Sequence, residues 1–230
     1  MIAISKRLEK VTTYIPAGST IADIGSDHAY LPCYSVQQGI IQHAIAGEVN
    51  EGPYQSALSQ VKALGLEDRI EVRLGDGLEV ISPNEVSVVV IAGMGGQLIS
   101  NILNRGKDRL SGVNRLILQP NMGAKFIRQW MEANGWVLTA ESILEEDEKI
   151  YEILVAVRSD DPMELSEAER LLGPFLMEEK NETFQKKWKR EKNNWERIAE
   201  QLEQAIQSEE IIERKRDILK KIKFVTEAIS

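Results

Sequence analysis

The polar side chains with chemical capacity in this chain fall where apolar runs end. Asp23 closes one such run and opens Asp23-Ile24-Gly25-Ser26-Asp27-His28-Ala29-Tyr30-Leu31-Pro32, a polar turn with one early glycine. A carboxylate at a strand end, a glycine two residues on and then a helix make a turn whose backbone can pass close to a bound nucleoside, because Gly25 carries no side chain. The further glycines that a nicotinamide fingerprint uses to approach a pyrophosphate are replaced by Asp27 and Ala29. The pattern suits the methionine moiety of S-adenosylmethionine better, with Gly25, Ser26 and His28 lining it.

Three further positions keep register with Asp23. Glu48 closes the second apolar run, twenty-five residues later, where a carboxylate can accept both hydroxyls of a ribose, and Val49 follows it. Asp76 and Gly77, in Gly75-Asp76-Gly77 after the third run, are placed to meet an adenine, Asp76 accepting from its amino group. Gly93-Met94-Gly95-Gly96 follows the fourth run, where the reacting groups of such a site meet. Each has a bland explanation: Glu48 as a surface strand end, Asp76 as a turn residue bonded to its own backbone, the glycines as loop geometry. All of them in one register favour the functional reading.

The elements that must position these residues are legible from periodicity. Residues 4–14 read as a short amphipathic helix closed by Pro16-Ala17-Gly18. Strands are predicted at Thr20–Ile24, Ala44–Val49, Ile70–Leu74, Val86–Ala92 and Arg115–Gln119, with helices beginning near Tyr30, Pro53, Gly96 and Gly123. Val/Ile-rich strands alternating with helices make an α/β protein with a parallel, doubly wound sheet. Trp136–Ser142 and Ile150–Arg158 add an antiparallel pair at the edge, around the acidic turn Glu145-Glu146-Asp147-Glu148. Beyond Ser159-Asp160-Asp161-Pro162 the β-branched runs stop, which divides the chain into a catalytic domain over 1–160 and a helical extension over 161–230.

Within the extension, Phe184, Trp188, Trp195, Ile198, Leu202 and Ile206 form one apolar stripe, and Ile211, Ile218, Ile222, Val225 and Ile229 a second. An antiparallel coiled-coil hairpin turning near Gln207-Ser208 buries both. Seven Lys/Arg against three Glu lie between Lys180 and Arg197, and six Lys/Arg against one Asp between Arg214 and Lys223. The antiparallel pairing sets Lys192 roughly opposite Lys223, so the clusters overlap, while Glu200, Glu203, Glu209 and Glu210 make the tip acidic. A solvated face and a nucleic-acid contact both stand as readings of that charge. Trp188 and Trp195 lie on the apolar stripe, which makes them core rather than base-stacking platforms.

Composition narrows the classes. The 230 residues carry a net charge of −8 and are 43% hydrophobic, a globular balance that argues against whole-surface polyanion binding. No signal peptide and no membrane-length apolar run is present, so a cytoplasmic protein without membrane contact is expected. One cysteine and two histidines allow neither an internal disulfide nor a thiolate metal cluster, so no metal is expected. Cys33 follows Pro32, but no Pro-Cys pair follows the fourth strand, so Cys33 reads as packing rather than nucleophile.

DIGSDHAYLP (23–32), GEV (47–49), LGDGL (74–78), IAGMGG (91–96) and LQPN (118–121) together resemble the bacterial tRNA (adenine-N1)-methyltransferases that modify adenosine 22. The resemblance covers essentially the whole chain. It implies a class I methyltransferase with a Rossmann-like sheet, S-adenosylmethionine as donor, and a coiled coil that helps to hold tRNA. Lys186, Lys187, Lys189, Arg190, Lys192 and the region Arg214–Lys223 are the expected contact face. Adenine N1 already holds an in-plane lone pair, so its methylation needs positioning rather than a base, but the pairing edge must be exposed. Asp27 and Asn121 are the candidates to orient the base, with Tyr30 as a stacking or gating aromatic and His28 as a further polar contact. For Asp27 a helix cap, for Asn121 a turn after Pro120, and for Tyr30 packing beneath the cofactor remain alternatives. So do another RNA or a protein as substrate, and a non-catalytic nucleoside-binding module; the oligomeric state stays open, a monomer included.

Overall fold

A computed structural model describes residues 2–161, 163–204 and 208–230. The chain divides into two compact units, Met1–Ser142 with Tyr151–Glu164, and Ile143–Ile150 with Leu165–Ser230.

The first unit alternates strand and helix: α1 (Lys6–Thr12), β1 (Ser19–Ile24), α2 (Tyr30–Gln37), β2 (Ile41–Glu48), α3 (Glu51–Ala63), β3 (Ile70–Leu74), β4 (Val88–Gly95), α4 (Gly96–Arg105), β5 (Arg115–Met122) and α5 (Ala124–Ala133). β6 (Trp136–Glu146) and β7 (Lys149–Arg158) complete a seven-stranded sheet in the order β3-β2-β1-β4-β5-β7-β6. β1 to β5 are mutually parallel and β7 runs antiparallel to β5. The central strands are buried on both faces: Val88, Val89, Val90 and Ile91 of β4 and Leu116, Ile117 and Leu118 of β5 are all at 0% exposure. That accounts for their unbroken β-branched and aliphatic runs, since a strand covered by helices above and below has no solvent face to mark with polar residues.

β4 and β5 each run three residues past the ends expected from the sequence, to Gly95 and Met122, because pairing resumes at Met94–Pro120 and Gly95–Met122 after an irregularity at Gly93. β6 likewise continues through Glu145 and Glu146, and the turn shrinks to Asp147-Glu148, both at positive φ as a tight two-residue hairpin requires. α5 is tied down by a buried charge cluster. Arg128 donates to Glu141 of β6 at 2.5 Å and to Glu152 of β7 at 2.8 Å, with all three side chains almost inaccessible.

In the second unit, α6 (Glu167–Leu172) and α7 (Pro174–Glu179) precede the two long helices α8 (Glu182–Gln204) and α9 (Glu209–Ile229). α6 starts with a capping box between Ser166 and Glu169, and Pro174 occupies the first turn of α7. The two short helices were not distinguished in the sequence, where six-residue segments carry too little periodicity to stand out. Phe184 and Trp188 of α8 pack with Val225 and Ala228 of α9 and with Leu172 and Leu176. The antiparallel sense is fixed by this contact together with the Lys215–Glu203 ion pair at 3.1 Å. Ile206 and Gln207, expected at the end of the first stripe and at the turn, lie outside the described residues.

Much of the basic charge in this unit is internally engaged. Lys186 contacts Glu145 at 2.6 Å, Lys192 lies 3.8 Å from Glu196, Lys220 pairs with Glu167, Lys221 with Asp217, and Lys223 lies 3.8 Å from Glu227. Lys187 sits over the Trp188 ring and Lys189 donates to Gln185.

Candidate active site

The carboxyl ends of β1 to β5 bring together most of the residues singled out in the sequence. Parallel pairing aligns Asp23 with Ala46 and Ile24 with Gly47, so the ends of β1 and β2 are adjacent. The turn after β1 is then bonded to β2, Gly25 and Ser26 both donating their N–H groups to the Gly47 carbonyl at 2.8 and 3.2 Å. Glu48 follows that carbonyl, and its own carbonyl accepts from Gly75 N–H at 2.8 Å, which carries the row on to the end of β3.

Asp23 and Glu48 are buried carboxyls, 3% and 6% exposed. Burial, the largest influence, raises the Asp23 pKa to about 7; Ser26 opposes it by donating to Oδ2 at 2.5 Å, and Glu48 and Asp27 add repulsion while Arg7 attracts. Burial raises Glu48 too, against a hydrogen bond from the Asp27 backbone. Glu48 Oε1 has no hydrogen-bond partner among the described residues although it is shielded from solvent. A buried carboxylate oxygen without a donor is costly unless a ligand supplies one.

Asp27, His28 and Ala29 all adopt left-handed backbone, with φ of 46°, 63° and 56°. The residue before α2 is thus Ala29, and among the described residues no side chain caps this helix. Asp27 is therefore no helix cap. Its carboxylate lies 3.5 Å from His28 Nε2 and is largely exposed, and the His28 and Tyr30 rings stand 5.6 Å apart at the mouth of the turn. Val49, Leu74 and Met122, all at least half exposed, provide an apolar rim at the ends of β2, β3 and β5. Such a rim is what a planar ring packs against.

Across the sheet, Gly93 has φ +80° and interrupts the β4–β5 ladder, which shifts register between Ala92 and Met94. Its two backbone groups are taken by β5 side chains: Gly93 N–H donates to Gln119 Oε1 at 3.1 Å, and Asn121 Nδ2 donates to the Gly93 carbonyl at 2.7 Å. Asn121 thereby presents Oδ1 as its remaining acceptor. Met94 reaches back to the first turn, its Cε only 2.2 Å from where a Cβ on Gly25 would stand, so Gly25 is required by contact as well as by φ. Gly95 precedes α4, and Gly96 is pressed against Gly123 so closely that a Cβ would lie 2.1 Å from the Gly123 carbonyl oxygen.

Asp76 and Gly77 lie farther along the row, and Asp76 is engaged by Arg105 at 2.8 and 3.3 Å on the surface. Cys33 is buried on α2, where desolvation pushes its thiol up to about 11, a packing residue rather than a thiolate. Arg7 and Gln119 were missed in the sequence. Arg7 donates to Gln119 Oε1 from 112 residues away, and neither belongs to a glycine-marked motif. Among the described residues no group of three His, Cys, Asp or Glu is placed to hold a metal ion, and no helix is long and apolar enough to cross a membrane.

Five parallel strands continued by an antiparallel hairpin, with buried carboxyls closing the first two, define a class I, Rossmann-like, S-adenosylmethionine-dependent methyltransferase. More narrowly, the chain belongs to the tRNA (adenine(22)-N(1))-methyltransferase family, whose model matches residues 21–227. It is 48% identical to the tRNA (adenine(22)-N(1))-methyltransferase of Bacillus subtilis (strain 168), over 99% of this chain and 98% of that protein. Its fold superposes on the crystal structure of the B. subtilis m1A22 tRNA methyltransferase TrmK with a TM-score of 0.95, at 47% identity and full coverage of both chains. The structure of M. capricolum TrmK in complex with S-adenosyl-homocysteine matches with a TM-score of 0.80 at 29% identity, covering 96% of this chain and 99% of that one.

Proposed function

We propose that the protein transfers a methyl group from S-adenosylmethionine to N1 of adenosine 22 of tRNA, with the donor held by the ends of β1 to β3 and the target base oriented between the β1 turn and the Gly93–Asn121 contact. The reading is carried by family membership along nearly the whole chain, joined to the buried, unsatisfied Glu48 oxygen at the expected strand end.

The residues suit that cofactor. Glu48 Oε1 needs a donor that the protein does not provide among the described residues, and a ribose diol provides two. Asp23, with Ser26 and the side-chain-free Gly25, suits a methionine ammonium, and His28, whose charge acts on Glu48, stands at the same turn. Val49 offers an apolar surface to adenine, with Asp76 and Gly77 at its edge. Gly93, Met94 and Gly95 form the wall toward the target. When bound, S-adenosylmethionine supplies an electrophilic methyl group on a sulfonium.

The chain's own work is alignment, which in favourable intramolecular cases contributes roughly 7–11 kcal/mol. No residue has to remove a proton from adenine N1 before attack, since the lone pair is already in the ring plane. Asn121 Oδ1 accepts from the exocyclic amine, and the exposed Asp27 carboxylate offsets the positive charge that grows on the ring. Tyr30, 38% exposed beside His28, stacks on or gates the base once it leaves its pair. The post-β4 loop lacks the Asn/Asp-Pro-Pro-aromatic tetrapeptide with which many methyltransferases hold an exocyclic amine, which favours a ring nitrogen as the target.

The domain over 1–160 performs the transfer and 161–230 holds tRNA through Lys186, Lys187, Lys189, Arg190, Lys192 and the Arg214–Lys223 region. The reaction belongs to the cytoplasm. Because several of these lysines have carboxylate partners within their own unit, tRNA phosphates must replace those partners. Reversing Lys186, Lys187, Lys189 and Arg190 to Glu is expected to weaken tRNA binding by about 100-fold and flatten its salt dependence, leaving cofactor affinity unchanged. Unchanged tRNA affinity returns the cluster to a solvated face.

The function is tested with purified protein, labelled S-adenosylmethionine and two unmodified tRNAs, one with adenosine and one with guanosine at position 22. Nucleoside mass spectrometry should find 1-methyladenosine only in the first. Label in both, or in neither, overturns the assignment.

A further inference from the structure

Gly93 is a residue whose backbone has lost its ladder. The β4–β5 pairing passes from Ala92–Gln119 to Met94–Pro120, and Gly93 is left at φ +80° with an N–H and a C=O to satisfy. Gln119 and Asn121, two residues apart on the same side of β5, take one each. The Asn121 amide is therefore oriented by the peptide that follows Gly93, and Gln119 holds the peptide that precedes it, so the two are coupled through the backbone dihedrals of Gly93 itself.

Gln119 is itself fixed from outside the sheet. Its Oε1 accepts from both Gly93 N–H and Arg7 Nη1, so a flipped amide would set its NH2 group against two donors. Gln119 is wholly buried, and its Nε2 has no partner among the described residues. The orientation is thus imposed by Arg7 and Gly93, with nothing on the Nε2 side to share the task. Arg7 projects from α1, which precedes the residues matched by the family model, and its guanidinium is steadied over the Tyr151 ring at 5.2 Å.

We infer that Arg7 is a positioning residue for methyl transfer: by locking the Gln119 amide it fixes the Gly93 bulge, and through it the Asn121 amide that meets the target base. The inference rests on the proposed role of Asn121. Arg7 also reaches the donor side electrostatically. Asp23 is faced by Ser26 and Asp27 from its own turn, by Glu48 from β2 and by Arg7 from α1, and Arg7 is the cation of this group.

The test compares full-length wild type with Arg7→Met, Arg7→Lys, Gln119→Leu and the double variant Arg7→Met/Gln119→Leu. At saturating tRNA, Arg7→Met should lower the single-turnover rate by about 30-fold, while tRNA affinity stays within about twofold. The double variant should be no slower than the worse single one, because both break one linkage. Without tRNA, the pH midpoint of S-adenosylhomocysteine binding should move upward in Arg7→Met and return toward wild type in Arg7→Lys, which keeps the charge but not the planar fork. In nitrogen NMR spectra the Gly93 amide should shift in Arg7→Met and Gln119→Leu alike.

An unchanged rate with an unchanged Gly93 amide overturns the inference. So does a loss confined to tRNA affinity, which makes Arg7 a phosphate contact, or an additive double variant. A lower melting temperature with no change in pH midpoint, amide shift or rate makes Arg7 merely structural. Should Arg7→Met not fold, Arg7→Lys carries the test, with a reduced rate expected at an unmoved pH midpoint. The binding and NMR readings require no methyl transfer, so failure of the functional assignment, seen as an inactive wild type, is distinguishable from failure of this inference.

Discussion

The turn after β1 and the bulge in β4 both place a glycine at positive φ beside the same site, yet they are held in opposite ways. Gly25 and its neighbours are secured by Ser26 on Asp23 and by the turn's own backbone, the Gly25 and Ser26 N–H groups donating to the Gly47 carbonyl of the adjacent strand. Gly93 is secured by side chains 26 and 28 residues away, one of which is oriented by Arg7 from 112 residues away. The first turn also carries backbone strain, three consecutive non-glycine residues in the left-handed region at on the order of 1 kcal/mol each. The second carries none beyond its glycine. On the proposed assignment, donor recognition rests on backbone pairing between adjacent strands, while orientation of the target depends on a side-chain relay that crosses the first unit.

Glycine substitutions sharpen this contrast most strongly. Gly96→Ala, next to the bulge, drives a Cβ to 2.1 Å from the Gly123 oxygen and 2.6 Å from its carbon, backbone atoms that cannot yield. It should destabilise the protein by about 3 kcal/mol in urea titrations. Gly25→Ala meets Met94 Cε at a similar 2.2 Å, but that atom ends a flexible side chain. The remaining cost is the φ of +70°, about 1 kcal/mol, together with weaker donor binding. Equal losses would erase the distinction between a clash with backbone and a clash with a side-chain end.

Titration separates the two sides next. Because the Asp23 carboxyl is raised from 3.8 to about 7 in the fold, the folded state binds its proton more tightly than the unfolded chain. Stability of the ligand-free protein from this group should be highest below the ordinary carboxylate range and fall as pH rises toward about 7. Affinity for S-adenosylhomocysteine runs the other way. It should rise about tenfold from about pH 6 to about pH 8 as Asp23 ionises to meet the ammonium. Asp23→Asn should flatten both profiles in calorimetry, and a persistent pH dependence would move the titration to another group.

The smallest expected effect lies at the rim. Arg105 and Asp76 form an exposed pair, so Arg105→Ala should change stability by less than about 0.5 kcal/mol. By releasing the Asp76 carboxylate it should tighten S-adenosylhomocysteine binding about twofold, read by the same calorimetry. Weaker binding would mean that Arg105 itself meets the ligand.

The same contrast explains what could be read from sequence. Asp23, Gly25, Glu48 and the strand-helix alternation around them were legible because apolar runs, a glycine and a carboxylate follow one another along the chain. The helical hairpin was legible from stripes that repeat over many turns. Arg7 looked like one charge among several on a short amphipathic helix, and Gln119 like the polar end of a strand, since their partnership exists only after β4 and β5 pair. The six-residue helices α6 and α7 escaped for want of repeats, and the strand character of Glu145 and Glu146 was hidden because an exposed edge hairpin tolerates charge.

The division of labour is tested most directly by S-adenosylhomocysteine calorimetry and single-turnover methylation run side by side on Asp23→Ala and Asn121→Ala. Asp23→Ala should weaken binding about 100-fold, whereas Asn121→Ala should leave binding within about twofold and slow transfer about 100-fold at saturating donor and tRNA. Weakened donor binding in Asn121→Ala at an unchanged transfer rate, or the reverse pattern in Asp23→Ala, would contradict it.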